Sequence, residues 1–595
     1  MTPQRQPTQP PPVQSVPVVE PWPDEPVLAL RAWLFARDGE RDTYPVTLQE
    51  VRTVWACSDR TARRTLQQAH AGGTLAYLPG RGRGITSRVT FAVPLREALT
   101  AALTRLIAAR NLDGVARVLR LPFPRAWVFT RQVQALFGLT EPAPGLDVLR
   151  MAVTRDLGSL DPLLASNTFE AHLLQQVMDP LVTLDGTTGE LLPHLAHHWD
   201  TAPDGLTWTF WLRKGVQFHH GRTLDAHDVK FTLDRTRHGA AWLLPDLERV
   251  SVHGPHAVRL HLSRRDAFLP WRLCDTPALV LPRDLPFHPD RLTGTGAFRF
   301  TRLPAGLRLT AFDAHFAGRP LIDEVEYWNV PDRQHGGPTS VQVQGEGAAA
   351  QPHWQAEVGV QFLIWNAHRP ATHDPHLRRA VHELYDVHAY WRDVGRTDPL
   401  VPASSFYPRR SAARGVPERR EAHAAALLRD TRAAPLVLYA LSWPEPQAEA
   451  AWLAGRCRRH GLHVEVRPFD LDLSPLPTDG DMVMLGEVAG VHEHLAFLSA
   501  LQHPQLLFRQ LLPPALLRDV DAHLDTYRTA RTHRERENIL DAVEHLLLRD
   551  DWLTLTYHRV KRRQLHPLIR DVHPDAYGRL DLKRLWIDRP GVDGA

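Results

Sequence analysis

Cysteine is scarce: Cys57, Cys274 and Cys457 are the only three in 595 residues. They stand far apart and form no Cys-x-x-Cys pair. That excludes a disulfide framework and a cysteine zinc site, and it fits a reducing compartment. No apolar run approaches the ~18 residues a membrane span needs, so no membrane partner is expected. The motifs of common enzyme classes are also missing. There is no P-loop, no Rossmann glycine pattern, no Gly-x-Ser-x-Gly elbow and no His-Glu-x-x-His. Neither catalysis nor a cofactor is expected. Histidine is abundant, at 33 residues, and His194, His197, His198 and His492-Glu493-His494 invite a metal reading. The spacing of a helical ligand pair is absent, so the abundance reads as compositional, like the excess of arginine over lysine, and no metal is expected.

The first 26 residues hold nine prolines, with Gln and Thr between them. They have no basic n-region and no apolar h-region, so they read as a disordered, polyproline-like arm and not a secretory signal. A cytoplasmic location is the expectation.

The chain that remains is 43% hydrophobic, enough for several cores, and its length suggests about four units of ~150 residues. The formal net charge of +3 hides an asymmetry. Val27 to Arg120 holds 15 Arg against 7 Asp/Glu, a balance of +8, so the rest must carry −5. Such segregation points to nucleic-acid contact by the N-terminal part.

Local patterns there agree. Val27 to Arg37 reads as an apolar-rich helix. Thr47 and Glu50 form a capping box opening a short helix faced by Val51, Val54 and Trp55. Cys57 and Ser58 make a tight turn, with Ser58 as N-cap of Asp59 to His70. In that helix Ala62, Leu66 and Ala69 point inward, which leaves Arg60, Arg63, Arg64 and Gln67 on the free face. Gly72 and Gly73 stop it. Thr74 to Leu78 and Thr86 to Phe91 read as a hairpin tipped by Arg81 and Arg83, with Arg88 on its second strand. These elements compose a winged helix-turn-helix at 27–93, with double-stranded DNA as the expected partner. Arg and Gln would face base edges, and the wing arginines phosphates or a narrow minor groove. Leu95 to Ala109, Leu112 to Arg120 and a run to Phe137 read as helices, and Glu141 to Gly145 as a linker. Residues 94–145 are expected to form a helical connector or a dimerisation element, the latter pointing to a homodimer. The stretch Ala56-Cys-Ser-Asp-Arg-Thr-Ala-Arg-Arg-Thr-Leu, with the Gly80-Arg-Gly-Arg-Gly wing, resembles the N-terminal domain of the SgrR-type sugar-phosphate stress regulators.

The larger part opens with a strand, Leu149 to Val153, then Ser159-Leu-Asp-Pro162 and a helix near Phe169 to Met178. Asp204-Gly205 reads as a turn, Thr207 to Leu212 as an alternating strand, and Asp225 as a helix cap. Gly205 to Phe231, Gly294-Thr-Gly-Ala-Phe298, Phe362-Leu-Ile-Trp-Asn366, Leu377-Arg-Arg-Ala-Val381 and Gly480-Asp-Met-Val-Met-Leu-Gly486 resemble, in order, the family 5 solute-binding proteins. The expected fold class is therefore α/β: a winged helix-turn-helix plus a two-lobed, periplasmic-binding-protein-like body of type II at 146–595. Lobe one would use 146–355 and 520–595, and lobe two 356–519, with 334–351 as a flexible insertion at the crossover.

The resemblance implies a small-molecule ligand in the interlobe cleft. The Asp that anchors a peptide amine in such receptors is replaced by Gly490, which argues against a standard peptide ligand. Asn167, Thr168, Trp365, Asn366, Glu487 and His492 are the candidate ligand contacts, with an equal expectation of a plain core role for Trp365. The function expected is a ligand-responsive DNA-binding regulator sensing a sugar phosphate or related carbohydrate. The alternatives are an ABC-transporter-type receptor for peptides or other small solutes, whose N-terminal module does not bind DNA, and a winged-helix interaction protein without a ligand.

Overall fold

The computed structural model describes residues 25–588 except 81–85, 110, 125–126, 128–137, 142, 144, 154–156, 166, 186–187, 305, 330–352, 357, 417, 430–433, 471–478, 489–491, 505, 564–567 and 574–578. The proline-rich arm to residue 24, Arg81, Arg83, Gly490, the run to Phe137 and the 334–351 insertion lie outside the described residues. Residues 1–133 and 134–595 form two compact units.

The first unit runs α1 (Glu25–Asp38), β1 (Thr43–Val46), α2 (Leu48–Trp55), α3 (Asp59–Ala71), β2 (Ala76–Leu78) and β3 (Ser87–Thr90). The strands form one antiparallel sheet in the order β1-β3-β2. Leu30, Leu34, Tyr44, Val46, Val51, Ala62, Leu66, Val89 and Phe91 close its core. β1 carries Pro45 opposite Arg88. It is an edge strand, where the missing proline N–H leaves no ladder bond unmade.

Two further helices, α4 (Leu95–Ala108) and α5 (Leu112–Leu119), follow. The expected connector 94–145 is divided between the two units. The first backbone N–H of α4, at Leu95, donates to Glu40 Oε1 at 3.0 Å. Arg117 of α5 meets Glu25 of α1 at 2.7 Å, and Gly114 leaves room for Leu106, which an added Cβ would approach to 2.6 Å. These contacts tie α4 and α5 to the winged fold. Gly138–Thr140, by contrast, is an edge strand of the second unit, antiparallel to Val148–Val153.

The second unit contains three main sheets. In the first lobe the order is 298–303, 306–311, 324–329, 148–153, 138–140, with 324–329 parallel to 148–153 and the other pairs antiparallel. Gly294 and Gly296 press against the backbone of Gln176 to Met178, where an added Cβ would fall 2.2 and 2.4 Å from the nearest backbone atom. That close approach explains the Gly-Thr-Gly run. A flanking antiparallel sheet has the order 247–252, 257–262, 207–212, 196–201. Helix Ala226–Gly239 packs on it, started by an Asp225–Asp228 capping box.

The second-lobe sheet has the order 464–469, 436–441, 482–488, 359–365, 553–555. Strand 359–365 alternates by face. Val360, Phe362 and Ile364 join one apolar cluster with helices 493–502, 507–511, 514–529 and 533–548 and with the flanking sheet. Leu363 and Trp365 join another with helices 375–384 and 444–459. His353–Ala356 and Val560–Arg563 pair in an antiparallel ladder between the lobes. The return to lobe one therefore falls near residue 560 and not 520. Residues 553–555 must stay in the second lobe because they pair with Phe362 to Ile364. Among the described residues no helix is long and apolar enough to cross a membrane.

Candidate functional sites

In the first unit, α2 ends at Ala56, which adopts the left-handed conformation at φ 46°, and Ser58 then caps α3 by accepting from Thr61 N at 3.3 Å. Ala56, Cys57 and Ser58 thus form a three-residue turn between two helices. Thr47 and Glu50 complete the capping box at the start of α2. Ala62 and Leu66 are buried, while Arg60, Arg63, Arg64 and Gln67 are exposed on the opposite side of α3. The neighbouring acids are already engaged: Asp59 with Arg52 at 2.9 Å and Glu50 with Arg37 at 2.6 Å. None of Arg60, Arg63 and Arg64 pairs with a carboxylate among the described residues. Arg88 is exposed on β3, opposite Leu78.

In the second unit the expected ligand contacts disperse. Asn167 is the N-cap of helix Thr168–Val177, its Oδ1 accepting from Phe169 N and Glu170 N at 3.2 and 3.3 Å. Thr168 is the half-buried first residue of that helix. Trp365 and Asn366 are fully buried and offer no surface to a ligand in this conformation. Trp365 packs in the second-lobe core. Asn366 donates to Gly480 O at 2.9 Å and accepts from His368 N at 3.0 Å. The strand that carries them is covered on both faces, which the apolar run alone did not distinguish from a cleft wall. Glu487 stands in register with Val360. His492 caps helix 493–502 by accepting from His494 N at 3.2 Å. Its ring packs on Gly189 and lies 6.2 Å from that of Phe268, bridging the second lobe to the flanking region. Burial, then the nearby His494, lower its pKa to about 3, so it is neutral near pH 7.

A polar constellation missed in the sequence sits at the C-terminal ends of the parallel strands 436–441 and 482–488, the place where open α/β sheets offer ligands a crevice. Gln361, Tyr385, Glu445, Glu449, Tyr557 and Arg559 line it, around a cavity of about 20 Å³, room for one water. Buried Glu449 accepts from Tyr385 Oη at 2.7 Å and Tyr557 Oη at 2.9 Å. Burial raises its pKa despite both bonds. Its only sequence signal is an acid on the otherwise apolar face formed with Leu453 and Cys457.

The histidines that drew a metal reading also separate. His194 Nε2 meets buried Asp179 at 2.8 Å. Burial alone would raise the Asp179 pKa, but His194 and Lys583 hold it well below the usual carboxylate range. His197 and His198 are exposed on a strand. His494 instead meets His533 and Glu537, a grouping the sequence did not suggest.

A winged helix-turn-helix ahead of a two-lobed binding-protein body defines the class. Residues 190–506 match the family model of bacterial extracellular solute-binding proteins, family 5, middle region, and residues 33–126 match that of the sugar transport-related sRNA regulator N-terminus. The chain is 32% identical over 374 residues to the HTH-type transcriptional regulator SgrR of Yersinia enterocolitica, covering 61% of this chain and 66% of that protein. It is 31% identical over 388 residues to the regulator of the same name in Pectobacterium atrosepticum, covering 64% and 68%. A dipeptide-binding protein from a Pseudoalteromonas species, solved with Met-Leu, superposes with a TM-score of 0.64 at 16% identity, covering 74% of this chain and 100% of that one. The chain belongs to the SgrR-type regulators, in which a helix-turn-helix module precedes a family 5 solute-binding domain. The relatives are regulators and binding proteins, and the two domains together fit a ligand-sensing transcriptional regulator.

Proposed function

We propose that this chain acts in the cytoplasm, binds double-stranded DNA through α3 and the wing, and senses a small metabolite between the two lobes of its second unit. The observation that carries the reading is the free face of α3. Three exposed arginines and Gln67 stand there without carboxylate partners among the described residues, while the acids beside them are neutralised by other arginines. Arg60, Arg63, Arg64 and Gln67 address base edges and phosphates, and Arg81, Arg83 and Arg88 of the wing address the backbone. A homodimer would set two such helices on half-sites about one helical turn apart. Sugar phosphates and related carbohydrates are the first ligands to screen, because the N-terminal match is to a sugar transport-related family.

Selection from random duplexes, followed by fluorescence anisotropy across salt concentrations, tests the DNA reading. Wild type should enrich one sequence class and lose affinity steeply with salt, with a slope near −0.9 per phosphate contacted. Arg63→Ala with Arg64→Ala should abolish the preference at unchanged melting temperature. No enrichment, or an unaltered double variant, would sink the proposal. A thermal-shift screen of sugars, sugar phosphates and peptides tests the sensor, since a tight ligand raises Tm by mass action. A peptide as the only hit would favour the receptor reading.

A further inference from the structure

The second lobe brings together three metal-ligating groups from two helices. His494 lies in the first turn of helix 493–502, and His533 and Glu537 lie one turn apart at the start of helix 533–548. One ligand atom from each falls within 4.8 Å of the others. Both His494 Nε2, at 2.5 Å, and His533 Nε2, at 3.6 Å, address the same oxygen of Glu537. The second oxygen is held by Arg410 at 2.5 Å, and Arg410 shares its charge with Asp541 at 2.7 Å. The other ring nitrogen of His494 is paired with Tyr527 Oη at 2.9 Å. This is the arrangement of a built metal site: two imidazoles, one carboxylate, and outer partners that orient both the carboxylate and one imidazole.

We propose that His494, His533 and Glu537 bind a divalent transition metal of the zinc class, with the fourth position open to solvent.

The geometry requires little movement. Metal–ligand bonds of about 2.0–2.2 Å set neighbouring ligand atoms roughly 3.3–3.6 Å apart in a tetrahedral site. The His533–Glu537 separation already meets this. The His494–Glu537 contact must open by about 1 Å from its hydrogen-bonded distance. The His494 and His533 rings lie parallel, with centroids 5.0 Å apart, so one ring must also turn. His533, whose side chain is 66% exposed, is free to do so. Two imidazoles with a single carboxylate suit zinc, nickel or cobalt over calcium or magnesium. The positive groups nearby are Arg410, countered by Asp541, and Arg536, which lies over the rings of Phe268 and Trp271. A bound metal would cross-link helices 493–502 and 533–548 beside the flanking region that Arg536 touches.

The test uses the full chain, stripped with chelator and titrated with cobalt(II) and zinc(II). Wild type should take up one equivalent, and cobalt should give the ligand-field spectrum of a four-coordinate site. His533→Ala changes an exposed side chain and leaves the fold intact. It should weaken binding at least about tenfold and erase that spectrum, as should Glu537→Gln. His197→Ala, which removes another exposed histidine, should bind as wild type does. No stoichiometric uptake by wild type, or uptake and spectrum unchanged in either site variant, would overturn the proposal and leave the His494–Glu537 contact as a proton-bridged pair.

Discussion

The Arg528 guanidinium lies 2.6 Å from the Asp246 carboxylate, joining helix 514–529 of the second lobe to the rim of the flanking sheet. Arg528 also accepts at its backbone oxygen from Ala267 N at 2.8 Å. Both residues are buried. Truncating Asp246 leaves buried Arg528 to the exposed Asp525, 3.6 Å away, whereas Asp246 without Arg528 still has Arg264 at 3.0 Å; a buried charge deprived of its close partner is costly. Asp246→Ala is expected to cost about 3 kcal/mol, measured by denaturant unfolding. Arg528→Met, which removes the charge and keeps volume, should cost less. Equal losses would show that packing and not the unpaired charge dominates.

Ala56 occupies the left-handed region at φ 46° and ψ 45°. A Cβ there costs roughly 1–2 kcal/mol, and glycine avoids it at some cost in unfolded-chain entropy. Ala56→Gly should therefore stabilise the first unit by up to about 1 kcal/mol without altering DNA affinity. Scanning calorimetry reads the first effect and anisotropy the second.

Glu449 is buried between two tyrosine hydroxyls. Glu449→Ala leaves both donors unsatisfied and opens a cavity, an expected loss of about 3 kcal/mol. Glu449→Gln keeps an acceptor and should cost less than half of that. Urea midpoints at constant m-value distinguish the two. Near-equal midpoints would mean the hydroxyl pairing contributes little.

His219 Nε2 contacts Gly296 O at 2.9 Å, and burial lowers its pKa to about 4. The folded pKa lies below the ordinary value of about 6.5, so the unfolded chain binds the proton first on acidification. The stability this group contributes is full above about pH 6.5 and is lost as pH falls toward 4, by up to roughly 3 kcal/mol. His219→Gln should flatten the slope of stability against pH in that window. An unchanged slope would place the acid sensitivity elsewhere.

What was legible follows from range. The capping box at Thr47–Glu50 and the helix cap at Asp225 were readable because the groups that satisfy them lie within three residues. The free face of α3 was readable because helical periodicity alone separates Ala62 and Leu66 from Arg60, Arg63, Arg64 and Gln67. Asn366 reads as a cleft residue, and Trp365 equally as cleft or core, because a strand end looks the same in sequence whether a ligand or a helix covers it. Glu449 went unnoticed because its partners, Tyr385 and Tyr557, lie 64 and 108 residues away.

The sequence by itself determined the sparse cysteines, the basic N-terminal module, the turn between α2 and α3, and the motifs of the two-lobed body. All of these rest on local backbone preference and on periodicity. Only the tertiary structure decided where the second lobe ends, since a three-residue strand at 553–555 is specified by its ladder to Phe362 to Ile364 and not by its own composition. It also decided that helix 493–502 meets helix 533–548, which sets His494 beside His533 and Glu537. Contacts between residues 39 and 43 apart depend on how helices pack, and packing is a property of the whole core.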